Sequence, residues 1–182
     1  GYNFAPGKIV EVEKIIVKET QKETSKTLPL SDGRLLEIIY GNPGAIWNPS
    51  ESDKSKLSEQ YYYNRELPDT WNVEILGRSS MNEKEYVVTK ATNNNLTAHV
   101  YGAVIGFHIL LDTETELELI SSQPAEIVMG SFGDLSNDAV QELPLSNTVM
   151  GYIFEPKFTG QGYTLGTTLL FAESDSGFQK VL

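Results

Sequence analysis

Residues 96–111, LTAHVYGAVIGFHILL, lie in the longest run of the chain without a formally charged side chain. Read with a period of two, one face carries the bulky side chains, which are Tyr101, Ala103, Ile105, Phe107 and Ile109. The opposite face is mostly small, with Val100, Gly102, Val104, Gly106 and His108. This pattern is typical of a strand covered on both faces, and it is too short for a bilayer, which requires about 20 apolar residues. We therefore expect a central strand.

Short apolar segments separated by turn residues fill most of the remaining chain, without a regular alternation of strands and helices. About nine strands are expected, which favours an all-β antiparallel β-sandwich or jelly roll over a closed barrel. Residues 34–40 follow the turn signal Ser31-Asp32-Gly33 and are predicted to be one of these strands. Ser50 and Asp53 are placed to cap a single short helix over residues 51–62. The 182 residues suit one domain spanning 1–182.

The C-terminal third predicts a pair of strands, residues 148–154 and 163–171, around a glycine-bearing turn at 159–162. Residues 140–145 read as an edge strand because Pro144 cannot donate a ladder hydrogen bond. Acidic residues alternate over 112–118, where we expect a turn near 113–115 and a solvated face. Residues 173–182 are expected to form a mobile tail.

The N-terminal region combines a strand with a polar tether. Residues 8–17 are predicted to form a strand whose apolar side chains are Val10, Val12, Ile15 and Val17. Residues 18–27 contain no apolar side chain and read as a flexible linker. The strand can fold into its own sheet, or it can add to the sheet of a neighbouring subunit, where backbone hydrogen bonds would hold an assembly together.

Tryptophan and tyrosine are concentrated in one region of the sequence. The cluster comprises Trp47, Tyr61, Tyr62, Tyr63 and Trp71. Flat rings with a polar edge can form a platform that stacks on sugars or anchors a protein interface. The alternative is a satellite core that fixes a long loop, although three consecutive tyrosines cannot all point inward.

Cofactor and catalytic signals are weak. Without cysteine, the chain has neither disulfides nor thiolate chemistry. Asp134, Asn137 and Asp138 form a weak calcium candidate that lacks EF-hand spacing. His99 and His108 are nine residues apart, which places them on opposite faces of one regular element and excludes a joint metal site within it. No Gly-x-Ser-x-Gly elbow occurs. We therefore expect no enzyme activity and no cofactor other than Ca²⁺ in that weak site.

The net charge of −11 disfavours nucleic acid and anionic membrane surfaces as partners. Richness in Asn, Thr, Ser and Tyr without Cys favours an extracellular, cell-surface or virion location. The leading interpretation is a non-catalytic structural or assembly subunit of a surface, filament or virion structure, self-associating through strand addition with copies of itself or another surface protein. The rival is a carbohydrate-binding module that uses the aromatic cluster to hold a glycan.

Overall fold

The computed structural model describes residues 30–61, 66–98, 100–113, 115–160 and 163–182. These residues form two α-helices, one 3-10 turn and eleven strands. In chain order they are α1 Asp32–Tyr40, β1 Ile46–Trp47, α2 Glu51–Gln60, β2 Trp71–Met81, β3 Lys84–Thr92, β4 Ala103–Asp112, β5 Leu117–Met129, the 3-10 turn Asn137–Ala139, β6 Val140–Pro144, β7 Met150–Phe154, β8 Lys157–Gly160, β9 Tyr163–Gly166, β10 Leu169–Ser174 and β11 Gly177–Lys180.

The strands form two antiparallel sheets and a separate hairpin. The first sheet has the order β1-β2-β3-β4-β5, and the second has the order β11-β10-β7-β6. One apolar core lies between the two sheets, while α1 and α2 pack on the outer face of the first sheet. The predicted all-β, sandwich-like fold is therefore confirmed, with two helices rather than one.

Strand β4 is the interior strand that residues 96–111 predicted. It pairs with β3 on one side and β5 on the other. Ile105 and Phe107 point into the core between the sheets, whereas Val104 and Leu110 pack beneath the helices. The small residues on the other face let neighbouring atoms lie close to the backbone of β4. A Cβ added to Gly106, for example, would lie 2.8 Å from Thr89 Oγ1. The strand begins only at Ala103, so residues 96–102 precede it.

Residues 34–40 form helix α1, and the prediction of a strand here was wrong. Ser31 caps the helix, with its Oγ accepting from the Arg34 backbone N–H at 3.4 Å. The helix ends at Gly41, whose φ of +70° is the left-handed conformation that glycine adopts without strain. Leu35, Leu36 and Ile39 face the sheet, and their burial outweighs the strand preference of Ile-Ile-Tyr.

Helix α2 follows the prediction closely. The Ser50 hydroxyl accepts from the Asp53 backbone N–H at 3.1 Å, and the Asp53 carboxylate accepts from the Ser50 backbone N–H at 3.1 Å. This reciprocal capping box satisfies donors that the first helical turn leaves without an intrahelical partner. Leu57 is the side chain that anchors the helix in the core, and the helix ends at Gln60, two residues before the predicted boundary.

The C-terminal segment is part of the sheet, so the expected mobile tail at 173–182 was wrong. Strands β10 and β11 pair antiparallel from Phe171↔Lys180 to Ser174↔Gly177. Phe178 is 1% exposed, and its ring centroid lies 4.9 Å from that of Phe107 on β4. The single aromatic side chain of this polar segment, Phe178, therefore anchors β11 in the core.

One predicted turn and one predicted edge are confirmed in outline. The chain turns after β4, where the Thr113 backbone N–H donates to the Glu116 carbonyl at 2.9 Å. Strand β6 is an edge strand and ends at Pro144. The predicted strand 148–154 corresponds to β7, but residues 163–171 are divided between β9 and the beginning of β10. β7 pairs with β10, whereas β9 pairs with the additional strand β8.

Candidate functional site

The candidate site is the projecting hairpin, defined as strands β8 and β9. The two strands pair in a four-residue register from Lys157↔Gly166 to Gly160↔Tyr163. Among the described residues, neither strand pairs with a third one, so the hairpin forms a sheet of its own. Leu165 is 67% exposed, and its neighbours from Thr164 to Thr168 are exposed as well. Residues 158–172 contain no formally charged side chain. Apart from Lys157 at its base, the hairpin is therefore uncharged, and it belongs to neither of the two larger sheets.

The base of the hairpin borders an apolar cleft of about 250 Å³. On the body side the cleft is lined by the end of β5, and on the other side by the segments before and after the hairpin. The main apolar lining residues are Val128, Met129, Pro156, Leu165 and Leu169. The cleft has room for one or two apolar side chains of a partner.

Two glutamine side chains cap the backbone of other edge strands. Gln60, the last residue of α2, accepts from the Val128 N–H at 2.8 Å and donates to the Glu126 carbonyl at 3.4 Å. Gln123 on β5 accepts from the Phe178 N–H at 2.6 Å and donates to the Phe178 carbonyl at 3.0 Å. Each primary amide offers the donor and acceptor that a neighbouring strand would offer. Parts of the β5 and β11 edges are therefore already occupied.

The predicted assembly residues Val10, Val12, Ile15 and Val17 lie outside the described residues, as does the linker at 18–27. The described chain begins beside β2, where the Leu30 carbonyl accepts from Arg78 Nη1 at 2.8 Å. This contact fixes the point from which the N-terminal segment departs.

The aromatic cluster lies mostly inside the protein. Trp47, Tyr61 and Trp71 are buried, with the ring centroid of Trp71 6.1 Å from that of Trp47 and 6.4 Å from that of Tyr61. Their polar atoms are bound internally: Trp71 Nε1 donates to the Pro68 carbonyl at 3.0 Å, and the Tyr61 hydroxyl donates to the Gly102 carbonyl at 2.9 Å. These rings offer no open face to a sugar and instead hold α2 against the sheet. Tyr62 and Tyr63 lie outside the described residues.

The weak calcium candidate surrounds an ammonium group. Lys90 Nζ lies 2.7 Å from Asp134 Oδ1 and 3.1 Å from Asn137 Oδ1, and it also contacts Glu74 Oε1 at 2.6 Å. Asp138 instead accepts from the Ser136 hydroxyl. Burial lowers the pKa of Lys90, but its bonds to Asp134 and Glu74 outweigh this and raise the pKa overall. The cation bound by these oxygens is therefore the ammonium group of Lys90.

His108 is enclosed beneath α1. Its Nε2 lies 3.0 Å from Thr89 Oγ1 and 3.2 Å from the Tyr40 hydroxyl, and its Nδ1 lies 2.9 Å from Ser122 Oγ. Burial lowers the pKa of the imidazole to about 3, so the ring is neutral at physiological pH. Such a ring is a weak base, and the arrangement ties α1 to β3, β4 and β5. His99 lies outside the described residues.

No group of three or more His, Cys, Asp or Glu side chains within the described ranges is arranged to hold a metal. Neither described helix is long and apolar enough to span a membrane. The hairpin and the glutamine caps were not identified from the sequence. The uncharged run 158–172 was a visible signal for the hairpin, whereas Gln60 and Gln123 contact residues 55 to 68 positions away and leave no local signal.

Comparison of the chain with protein-family models, with curated proteins and with solved structures found no match.

Proposed function

We propose that the protein is a non-catalytic assembly subunit of a surface, filament or virion structure, and that it associates with copies of itself by strand addition. The observation that supports this most directly is the projecting hairpin, whose two strands pair only with each other among the described residues. Strand addition uses the backbone groups of such an edge for affinity and the side chains on alternate positions for specificity.

The energetics of the hairpin favour a partner. An isolated two-stranded hairpin is marginally stable in water, and three or more strands are usually needed for independent stability. Proteins normally protect an exposed edge with charged residues, proline or a covering element. Within the hairpin the only formal charge is on Lys157, at its base. Pairing with a neighbouring strand would complete a larger sheet and cover Leu165.

The edges of the two larger sheets are protected where the hairpin is not. Gln60 and Gln123 occupy backbone groups of β5 and β11, and Pro144 ends the edge strand β6. β5 is further interrupted by two register irregularities in its pairing with β4. Bulges, prolines and side-chain caps are features that keep edges from pairing with foreign strands. The projecting hairpin lacks these features in its described residues.

The N-terminal segment is a second candidate for exchange. Residues 8–17 carry apolar side chains at alternate positions in each half, Val10 and Val12 before Lys14 and Ile15 and Val17 after it, with a bulge expected near Lys14. The twelve residues between Val17 and Leu30 can span up to about 40 Å. That reach is enough for the strand to leave the domain at β2 and meet the sheet of another copy.

Light scattering after size-exclusion chromatography tests the proposal. The wild type is expected to show a mass above the 20.2 kDa of one chain, rising with concentration. Leu165→Lys places a charge on the hairpin and should require at least about tenfold higher concentration for the same association, a change of about 1.4 kcal/mol. Val181→Lys, at a similarly exposed apolar side chain outside the hairpin, is the matched control and should associate as the wild type does.

A deletion of residues 1–20 separates the two contributions. Loss of association in this variant assigns a role to the N-terminal strand, and retained association shows that the hairpin suffices. A wild type that stays monomeric at every soluble concentration contradicts the proposal, as does an equal effect of the substitutions at 165 and 181.

A further inference from the structure

The second half of β2 forms part of the edge of the first sheet, and no described strand covers it. β1 pairs with β2 only at the first two residues of β2. Past the register irregularity between Ile75 and Gly77, residues 77–81 pair regularly with β3 on their inner side. We call residues 77–81 the open edge. The glutamine caps and the terminal proline lie on β5, β11 and β6, and none of the described side chains bonds to the backbone of the open edge.

A groove of about 580 Å³ runs beside the open edge, between β2 and the edge strand β6 of the second sheet. The two strands are close at Gly77, where an added Cβ would lie 3.8 Å from Val140 Cγ1. The groove lies beside residues 78–81, and its apolar lining residues are Met81, Pro144 and Met150. It has more than twice the volume of the 250 Å³ cleft at the base of the hairpin, so it has room for several aliphatic side chains.

The chain enters the described structure beside this groove. Leu30 is the first described residue, and its side chain packs against the apolar cluster beneath α1. Its carbonyl accepts from Arg78 Nη1 at 2.8 Å, and Arg78 also lines the groove. The twelve residues between Val17 and Leu30 can span up to about 40 Å, whereas the five residues of the open edge extend over about 17 Å. Residues 8–17 can therefore reach every position of the open edge.

The length of this connection favours the groove of the same chain over that of a second copy. A short flexible linker holds the segment it carries at an effective concentration in the millimolar range. A strand from another copy competes only when the protein itself reaches a similar concentration. Residues 18–27 contain no apolar side chain, so the linker has no hydrophobic surface of its own to bury in the groove.

We propose that residues 8–17 add to the first sheet of their own chain at the open edge and place apolar side chains in the groove. Val10 and Val12 are two positions apart, as are Ile15 and Val17, so in an extended strand the members of each pair point to the same face. This strand protects β2 from pairing with foreign strands, as the side-chain caps protect the other edges. The assignment does not rest on self-association, and an exchange of the strand between copies would use the same groove.

Hydrogen exchange of individual amides tests the assignment in the full chain. The key variant replaces the four apolar side chains by serine, with Val10→Ser, Val12→Ser, Ile15→Ser and Val17→Ser. In this variant the amides of residues 77–81 that point away from β3 should exchange at least about tenfold faster than in the wild type, because an added strand no longer holds them. Thr20→Ser with Thr24→Ser, in the linker, is the matched control and should exchange as the wild type does.

Two controls separate this strand from the association of the hairpin. Protection of the open edge should be the same at every protein concentration and should persist in Leu165→Lys. The amides of β4 should exchange slowly in every variant, which shows that the domain remains folded.

Two introduced cysteines show which chain supplies the strand, because the protein has no cysteine of its own. Glu142 is exposed and lines the groove, whereas Glu118 is exposed on β5, at the opposite end of the strand order of the first sheet. A short bismaleimide should join Glu13→Cys to Glu142→Cys at least about tenfold faster than it joins Glu13→Cys to Glu118→Cys. The product should have the mass of one chain.

The proposal is overturned if the outward amides of residues 77–81 exchange equally fast in the wild type and in the serine variant, or if the two cysteine pairs react at equal rates. Protection that appears only at high protein concentration, or a cross-linked product of two chains in dilute solution, would assign the groove to the strand of a second copy and would overturn the own-chain assignment as well.

Discussion

Replacing Phe178 by alanine removes the side chain through which β11 joins the core. Phe178 is 1% exposed, and its ring centroid lies 4.9 Å from that of Phe107, 5.5 Å from that of Tyr152 and 6.1 Å from that of Tyr86. These three rings belong to both sheets and are themselves buried. The substitution would leave a cavity between two sheets that are already closely packed.

The expected loss of stability follows from the buried area of the Phe178 ring and from the cavity that its removal leaves. A buried aromatic side chain removes about 150–250 Å² from water, which corresponds to roughly 4–6 kcal/mol at about 25 cal/mol per Å². Alanine keeps a small part of this, so we expect a loss of about 3–5 kcal/mol in the free energy of unfolding. In a domain of this size, each kcal/mol corresponds to about 2–4 °C, and the melting temperature should fall by roughly 6–20 °C.

Urea unfolding monitored by tryptophan fluorescence measures this change, and an unchanged m-value shows that the same surface is exposed on unfolding. Val181→Ala, three residues further along, is the matched control. Val181 is 58% exposed, so its truncation should change stability by less than about 0.5 kcal/mol. If Phe178→Ala were as stable as that control, β11 would not be part of the core.

Three further predictions concern the interior and the edges. Burial lowers the pKa of His108 from 6.5 to about 3, so below pH 6.5 the unfolded chain binds a proton that the folded chain does not. The free energy of unfolding should therefore fall by about 2–3 kcal/mol between pH 6.5 and 4.5. Chemical unfolding at the two pH values measures this loss, which should be smaller in His108→Gln. Gly102→Ala should lower the free energy of unfolding by about 1–3 kcal/mol, because the added Cβ would collide with the Met129 carbonyl. Gly33→Ala, in the open first turn of α1, should raise it by about 0.5–1 kcal/mol. Thermal unfolding measures both changes. Gln123→Ala should lower stability by about 1–3 kcal/mol in urea unfolding, since it removes the side-chain partner of two backbone groups on β11.

The parts of the fold that the sequence predicted well are those with a local physical cause. In β4, alternation between bulky and small residues follows directly from burial on two different faces. In α2, the capping box requires only Ser50 and Asp53, three positions apart. The turn after β4 is similarly local, because Thr113 and Glu116 bond to each other. Each pattern is complete within a few residues.

The errors arose where distant partners decide the structure. Residues 34–40 contain a short apolar run that fits a strand or a helix, and the choice depends on Gly41 and on the sheet face that Leu35 and Ile39 cover. Residues 173–182 look polar, and a single side chain, Phe178, places them in the core. The same limit applies to ion pairs: nothing near residue 90 in the sequence shows that Lys90 contacts Asp134.

The order of the projecting hairpin and the self-association of the protein should be linked. If a two-stranded hairpin is marginal alone, then a partner strand stabilises it by mass action, in proportion to the concentration of the partner. Hydrogen exchange of the backbone amides of β8 and β9 should therefore slow as the protein concentration rises. The amides of β4, which pair with strands on both sides, should exchange slowly at every concentration. In Leu165→Lys the concentration dependence in β8 and β9 should disappear while β4 remains protected. Exchange in the hairpin that is slow already in dilute solution would mean that the hairpin is stable without a partner, and the energetic reason for assembly would be lost.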